Sequence, residues 1–375
     1  MMQIVADENM PYVDELFGQH ANIRRLPGRT IQSNDLVDVD ILLVRSVTKV
    51  NAELLHHANR LKFVGSATIG LDHIDEALLR TRGINYSNAP GCNATGVGQY
   101  VATALLKIAS QENVYLKNKR VGIIGAGNTG SATFQCLSAL GMHCYFYDPL
   151  LEAKGDKRIN ASFEWMLENC DVLSFHVPLT HAGPFPTHHM VNERVLSAMK
   201  PDVWLVNACR GGVIDNKALL EWRKSHPNSR LVLDVWEGEP QVHKNLVEWV
   251  DVATPHIAGY SMEGKARGTW MLYQWLAPLM NWPEAIDYKA LIQLPNPPSQ
   301  TIESRLTEEQ LNALASLVYD LNLDDELFRK EGLTAEGFDG LRKNHQLRRE
   351  FSALTLVLDR QFDVNWLKQF GFTIG

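Results

Sequence analysis

Over residues 1–90, short apolar runs at Gln3–Ala6, Asp40–Val44, Lys62–Ser66 and Ile84–Tyr86 alternate with polar stretches of helical length, among them Asn51–Arg60 and Asp72–Arg82. Short apolar runs separated by helical lengths predict parallel strands joined by crossover helices. The loop Pro90-Gly91-Cys92-Asn93 then opens a longer helix. Its apolar positions Val97, Tyr100, Val101, Ala104, Leu105 and Ile108 step by three and four, which predicts one buried face.

A second alternating unit follows. Its strand candidates are Arg120–Ile124, His143–Asp148, Asp171–Val177, Val203–Asn207, Arg230–Val235 and Asp251–Ala253, separated by helical patterns such as Thr129–Leu140 and Asn216–Lys224. These are the parts of a doubly wound dinucleotide-binding sheet. After Pro283 the texture changes. Leu294-Pro295-Asn296-Pro297-Pro298-Ser299 reads as a Pro-rich linker. Beyond it, Thr307–Asn322 has Leu311, Leu314, Ala315 and Val318 on one helical face, followed by the acidic run Asp324-Asp325-Glu326 and the basic residues Arg342, Lys343, His345, Arg348 and Arg349. A solvated face is the simpler reading of both charge runs.

Composition narrows the class without changing this picture. The 375 residues are 45% hydrophobic and 21% charged, as in an ordinary globular protein with room for two or three domains at roughly 150 residues each. No stretch approaches the roughly 18–20 apolar residues of a membrane span. Acids at Asp7 and Glu8 stand where a signal peptide needs a basic and then an apolar region, so a cytoplasmic protein is expected. The net charge of −7 argues against a broad nucleic-acid footprint. The five cysteines (Cys92, Cys136, Cys144, Cys170, Cys209) contain no C-x-x-C and read as reduced thiols. The histidine pairs His56-His57 and His188-His189 lack ligand spacing with nearby Cys or Asp, so no metal is expected.

The strongest local motif is Gly125-Ala126-Gly127-Asn128-Thr129-Gly130, after an apolar strand and at the opening of a helix, with Asp148 ending the next strand. Gly125 permits the tight turn, Gly127 lets backbone approach a pyrophosphate, and Gly130 allows close packing of helix on sheet. The N–H groups at the helix start favour phosphate. Asp148 suits the hydroxyls of an adenosine ribose and would repel a 2′-phosphate, which favours NAD over NADP.

Three later segments each follow a predicted strand and carry Arg210, Glu239 and His256. Ligands bind at the carboxyl ends of strands in such sheets, so the three can converge. Arg210 offers a fork of donors to a carboxylate. His256 can take a hydroxyl proton, its ordinary pKa being near working pH. Glu239 can fix one imidazole tautomer and stabilise the imidazolium.

Asn207-Ala208-Cys209-Arg210-Gly211-Gly212, Asp234-Val235-Trp236-Glu237-Gly238-Glu239-Pro240 and Thr254-Pro255-His256, with the glycine motif, resemble the D-isomer-specific 2-hydroxyacid dehydrogenases over roughly residues 40–280. The resemblance implies a Rossmann-type NAD domain (96–256) inserted in a flavodoxin-like substrate domain (1–95 and 257–285). It implies the roles above for Arg210, Glu239 and His256. It also implies cofactor contacts from Asn128, Thr129, His176, Val177, Ala208, Cys209, Asp234 and Gly259.

Four further stretches, around Asp7-Glu8-Asn9, Arg45-Ser46, Pro90-Gly91-Cys92 and Tyr260–Gly268, resemble a branch of that family acting on a four-carbon phosphorylated hydroxy acid. The branch implies Ser46, Thr68 and Tyr260 as substrate contacts and a C-terminal α+β or mainly helical dimerisation domain (286–375). Arg45 and Ser46 can hold one anion, and the backbone around Ser66–Gly70 another. In a dimer, one of the tail arginines could complete the partner's phosphate site. The alternatives are a dehydrogenase for phosphoglycerate or hydroxypyruvate/glyoxylate and, from another class, an NAD-binding corepressor.

Overall fold

The computed structural model describes residues 1–284, 287–292, 298–345, 348–359 and 363–375. Of the expected linker Leu294–Ser299, residues 294–297 fall outside them. The chain divides into two units, one made of Met1–Asn93 and Ser261–Asn296, the other of Ala94–Tyr260 and Pro297–Gly375.

The first unit is built on β1 (Met2–Asp7), β2 (Ala21–Leu26), β3 (Ile41–Val44), β4 (Phe63–Ser66) and β5 (Asn85–Asn88). They pair in the order β2-β1-β3-β4-β5, all parallel, which is the flavodoxin-like order. Ile4, Ala6, Phe17, Ile41, Leu43 and Phe63 form a core with Leu272, Tyr273, Leu276 and Ala277 of the helix Met262–Met280. Residues from beyond the second unit's Rossmann-type sheet thus complete the first unit's core.

Two expectations fail here. The edge strand β2 gave no apolar signal, because it carries Arg24 and Arg25 and buries only Ala21. Asn51–Arg60 forms turns rather than a helix: Asn51 Oδ1 accepts Leu54 N (2.9 Å) and Asn59 N donates to His57 O (2.9 Å). Leu54, Leu55 and Ala58 are buried all the same.

The second unit carries β6 (Arg120–Ile124), β7 (His143–Tyr147), β8 (Val172–Phe175), β9 (Trp204–Asn207), β10 (Arg230–Leu233) and β11 (Val252–Ala253). The order is β11-β10-β9-β8-β6-β7, all parallel. Outside β7, Ile159 makes a single parallel bridge to Phe146. This is the dinucleotide-binding order with its outer strand reduced to one residue.

The helix Ala94–Glu112 was expected to bury one face and is buried nearly all round. A Cβ on Gly98 would stand 2.8 Å from Ala132 of the helix Asn128–Ala139, so the two backbones touch. The tail covers the other side. Leu311, Leu314, Ala315, Phe351, Phe370 and Phe372 share one core with Tyr100, Leu105 and Leu137. The tail's β12 (Ser299–Ile302), β13 (Thr355–Leu358) and β14 (Thr373–Ile374) form a small parallel sheet.

The expected helix Thr307–Asn322 breaks at Tyr319-Asp320, where Asp320 caps a new helix, Leu321–Glu331, by accepting from Asn322 N and Leu323 N. The solvated-face reading fails for three of these eight residues. Asp324 and Asp325 are 8% and 7% exposed, and Arg348 is 4% exposed. Asp325 accepts from Lys107 Nζ (3.0 Å), Arg329 Nε (2.8 Å) and Ala253 N (3.0 Å), so its burial is fully paired. Glu326 and Lys343 are exposed as expected. Among the described residues, no helix is long and apolar enough to cross a membrane.

Candidate functional site

The glycine loop follows β6 and is shaped by close approach. Gly125 has φ +99°, a left-handed conformation that favours glycine, and its N–H donates to Tyr147 O (2.8 Å). A Cβ on Gly130 would stand 1.9 Å from Gly125 O, so only glycine lets the helix start this near the strand. At Gly127 a Cβ would meet nothing within 4 Å, and Gly127 and Asn128 are exposed at the start of the helix Asn128–Ala139. That helix has no side-chain cap among the described residues and no acid in its first turn. Its opening N–H groups and positive dipole end therefore present an open cradle for an anion, as a pyrophosphate requires.

Asp148 bridges the cradle to the next element. One carboxylate oxygen accepts Ala126 N (3.1 Å) and the other accepts Leu151 N (3.0 Å), capping the helix Pro149–Glu152. Ser174 holds His176 Nε2 at 2.8 Å, and burial pulls that imidazole down to about 3, so it is neutral. His176 contributes its backbone: a Cβ on Gly125 would lie 2.5 Å from His176 O, and Val177 lines the same turn.

After β9, Asn207 organises the turn that carries Ala208, Cys209 and Arg210. Its Oδ1 accepts Cys209 N (3.2 Å) and its Nδ2 donates to Arg210 O (3.1 Å). The Cys209 thiol is pushed up to about 11 by burial, which makes it inert rather than nucleophilic. Arg210 is half-buried, with one guanidinium nitrogen donating to Cys209 O (2.8 Å).

Beyond β10 and β11 the acid and base meet. Glu239 Oε1 lies 2.5 Å from His256 Nδ1, while Glu239 Oε2 accepts Trp236 N (3.2 Å). Burial pushes the Glu239 carboxyl up. The charges of His256 and Arg342 and the bond from Trp236 outweigh this and hold it below the usual range. An ionised Glu239 on Nδ1 requires that nitrogen to carry a proton, which leaves Nε2 as the basic atom.

His256 sits at φ 58°, unusual for a side chain of its kind, and Asp234 explains why the loop keeps that shape. The Asp234 carboxylate accepts Thr254 Oγ1 (2.6 Å), Ile257 N (2.7 Å) and Ala258 N (2.9 Å), and its carbonyl accepts His256 N (2.6 Å). The carboxylate of Asp234, an expected cofactor contact, clamps the loop that carries His256. Gly259 follows the clamp, and Tyr260 N closes it on Ile257 O (2.8 Å).

In the first unit, Arg45 and Ser46 follow β3, half-buried and exposed respectively, and Thr68 follows β4. The Thr68 hydroxyl lies 2.7 Å from Ser66 Oγ and donates to Gly70 O (3.1 Å). Of the backbone donors expected to hold an anion here, Ala67 N is committed to Val44 O (2.9 Å).

Lys265, which the sequence reading passed over, belongs beside them. Burial, and then the charge of Arg45, pull its ammonium down to about 8. An ammonium held down by burial and by a neighbouring guanidinium is a place where an anion brings relief. Its only sequence signal was a basic residue one turn into a helix whose first turn is otherwise acidic, at Glu263.

One other cluster needs weighing. Donor atoms of His188, His189 and Glu237 lie within 4.8 Å of one another. The two rings are stacked at 4.0 Å, 20° apart, and His189 Nε2 is taken by Glu237 (2.5 Å). Stacked rings aim their lone pairs in parallel rather than at a common point, so this is a hydrogen-bonded pair with a neighbour and not a coordination sphere.

Residues 100–258 match the family model of the D-isomer specific 2-hydroxyacid dehydrogenase, NAD binding domain, and residues 291–371 match a domain of unknown function (DUF3410). The curated erythronate-4-phosphate dehydrogenase of Shewanella baltica (strain OS223) is 51% identical over 372 residues, covering 99% of both chains. This chain belongs to the erythronate-4-phosphate dehydrogenase family.

The Shewanella oneidensis member of that family is 50% identical over 372 residues, again 99% of each chain. Among solved structures, the Aquifex aeolicus D-lactate dehydrogenase complexed with NAD and lactic acid aligns with TM-score 0.60 at 24% identity, over 74% of this chain and 95% of that one. The NAD+-bound 3-phosphoglycerate dehydrogenase of Entamoeba histolytica aligns with TM-score 0.65 at 21% identity, over 75% and 95%. Those two share the fold with this family.

Proposed function

We propose that this chain oxidises 4-phospho-D-erythronate at C2 to (R)-3-hydroxy-2-oxo-4-phosphooxybutanoate, a step of pyridoxal 5′-phosphate biosynthesis. The observation that carries the reading is the match to the curated family over 99% of the chain, tail included.

Gly125, Gly127, Asn128, Thr129 and Gly130 would hold NAD, with Asp148 for its ribose, and the bound cofactor would supply the acceptor for the C2 hydride. The remaining chemistry belongs to the protein. The forked donors of Arg210 hold the substrate carboxylate and polarise the C2 oxygen. His256 Nε2 takes the hydroxyl proton as the C2–H bond breaks, and the ionised Glu239 on Nδ1 stabilises the imidazolium that results. Arg45, Ser46 and Thr68 in the first unit, and Tyr260 in the second, are the proposed substrate contacts. Lys265 beside Arg45 is suited to the phosphate.

In this reading the first unit is the substrate domain, Ala94–Tyr260 holds the cofactor, and the tail is a dimerisation domain of a cytoplasmic homodimer. Dimerisation is checked by light scattering on the purified chain. The reaction is checked by incubation with NAD and 4-phospho-D-erythronate. Mass spectrometry should show a product lighter by two hydrogens in step with NADH. Unchanged substrate while NAD binds would contradict the proposal.

A further inference from the structure

The tail reaches the catalytic loop at three places within the second unit. Asp325 accepts Ala253 N at 3.0 Å, just ahead of the loop. Arg348, stacked 3.9 Å over the Tyr319 ring, donates to Ala258 O (2.9 Å) and to Gly96 O (2.7 Å), tying the loop's far side to the long helix. Arg342, near the end of the helix Ala335–Lys343, donates to Tyr260 OH (3.0 Å), with its guanidinium 5.6 Å from that ring and 5.8 Å from Phe338. Its Nε is buried with no hydrogen-bond partner among the described residues. A buried, unmet donor on a guanidinium is costly unless the charge is used.

We infer that Arg342 is a positioning residue for the His256–Glu239 pair: it holds Tyr260 at the loop's end and supplies the fixed positive charge that the Glu239 carboxylate faces. The inference rests on the reaction proposed above for these residues, and it assigns a catalytic task to the tail of the same chain.

The charges around the pair can be named. Within this unit, Glu239 faces His256, the Trp236 N–H and Arg342. Arg342 in turn faces Tyr260, Glu239 and Asp234, which together hold it charged against burial. The Tyr260 ring meets the His345 ring edge-on at 5.8 Å, and His345 Nε2 is held by Asp324 (3.1 Å). Arg342 is thus the tail cation whose charge acts on Glu239, in a group that also holds acids, a phenol and the imidazoles of His256 and His345.

The sign of its effect follows. A nearby fixed cation favours carboxylate on Glu239 and disfavours a second positive charge on the imidazole, so it keeps the pair ready to accept a proton. Without it, the pair binds a proton more tightly and the base is blocked at higher pH. A purely structural pin on Tyr260 would not move that equilibrium.

The test is a pH titration of the histidine side-chain resonances by NMR in the full-length chain with NAD. The His256 signal is identified by its loss in H256Q. In R342M the midpoint of the pair should rise by about one pH unit, tenfold in proton affinity, with R342K staying near the unsubstituted chain. The acid limb of kcat/KM for 4-phospho-D-erythronate should move by the same amount.

An unmoved midpoint in a folded R342M overturns the inference. Should R342M fail to fold, Y260F frees the guanidinium without removing its charge. It should raise the midpoint by less, and no rise there overturns the inference equally. A midpoint that moves in a chain that never oxidises the substrate sustains the coupling and removes the proposed reaction instead.

Discussion

Glu239 and His256 share a 2.5 Å hydrogen bond at the edge of solvent, and the consequence is specific to charge. E239Q retains the shape of the contact but removes the counter-charge of the imidazolium. The midpoint of the pair should therefore fall, and kcat should drop by about 10²–10⁴, measured as the pH dependence of NADH formation. Lys265 makes an opposite demand. Its ammonium is pulled from 10.5 to about 8 by burial and then by Arg45. The unfolded chain therefore holds more protons between those values, and stability rises with pH across that range. K265M should lack this rise, melt higher than the unsubstituted chain at neutral pH, and show a raised KM for 4-phospho-D-erythronate. Thermal melts across the range and initial rates check both halves. Arg210, Glu239 and His256 were legible in sequence because each follows a strand of plain apolar pattern. Lys265 and Arg342 were not. One gains its meaning from Arg45, just past a distant strand, the other from Tyr260 across 82 positions.

At the scale of elements, the glycine loop is constrained by backbone rather than by side chains. A Cβ at Gly130 would fall 1.9 Å from Gly125 O, and no side-chain rotation relieves a clash with a carbonyl. G130A should destabilise the second unit by about 1–3 kcal/mol and weaken NAD binding by shifting the helix start, read by thermal melting and by cofactor fluorescence titration. The strands β6, β8 and β9 were legible because each buries four consecutive residues, and most of the four are apolar. The edge strand β2 was hidden by its arginines, and Asn51–Arg60 misled because its buried leucines fit a helical spacing that the turns do not use. The break at Tyr319-Asp320 shows why helix ends are hard to read: Leu321 continues the apolar pattern, while the Asp320 carboxylate stops one helix and starts another.

For the whole molecule, the tail cannot be detached from the unit it covers. Leu311, Leu314, Ala315, Phe351 and Phe370 share a core with Tyr100 and Leu105, and Lys107 with Asp325 adds a buried ion pair. The proposed catalytic and cofactor motifs end well before it, yet a chain truncated ahead of residue 297 should aggregate or melt without cooperativity, checked by gel filtration and calorimetry. A compact fragment that binds NAD would refute that prediction. The dinucleotide fold was legible from the alternation of strands and helices, whereas the tail's hold on the catalytic loop was not, since it depends on burying charges that the sequence suggests are solvated. The substrate is the claim on which the rest stands. The most direct measurement is kcat/KM from NADH absorbance for 4-phospho-D-erythronate and 3-phospho-D-glycerate, side by side with NAD. A preference for the four-carbon substrate by at least about a hundredfold is predicted, a difference of about 2.7 kcal/mol in transition-state binding; equal rates, or turnover of phosphoglycerate alone, would contradict it.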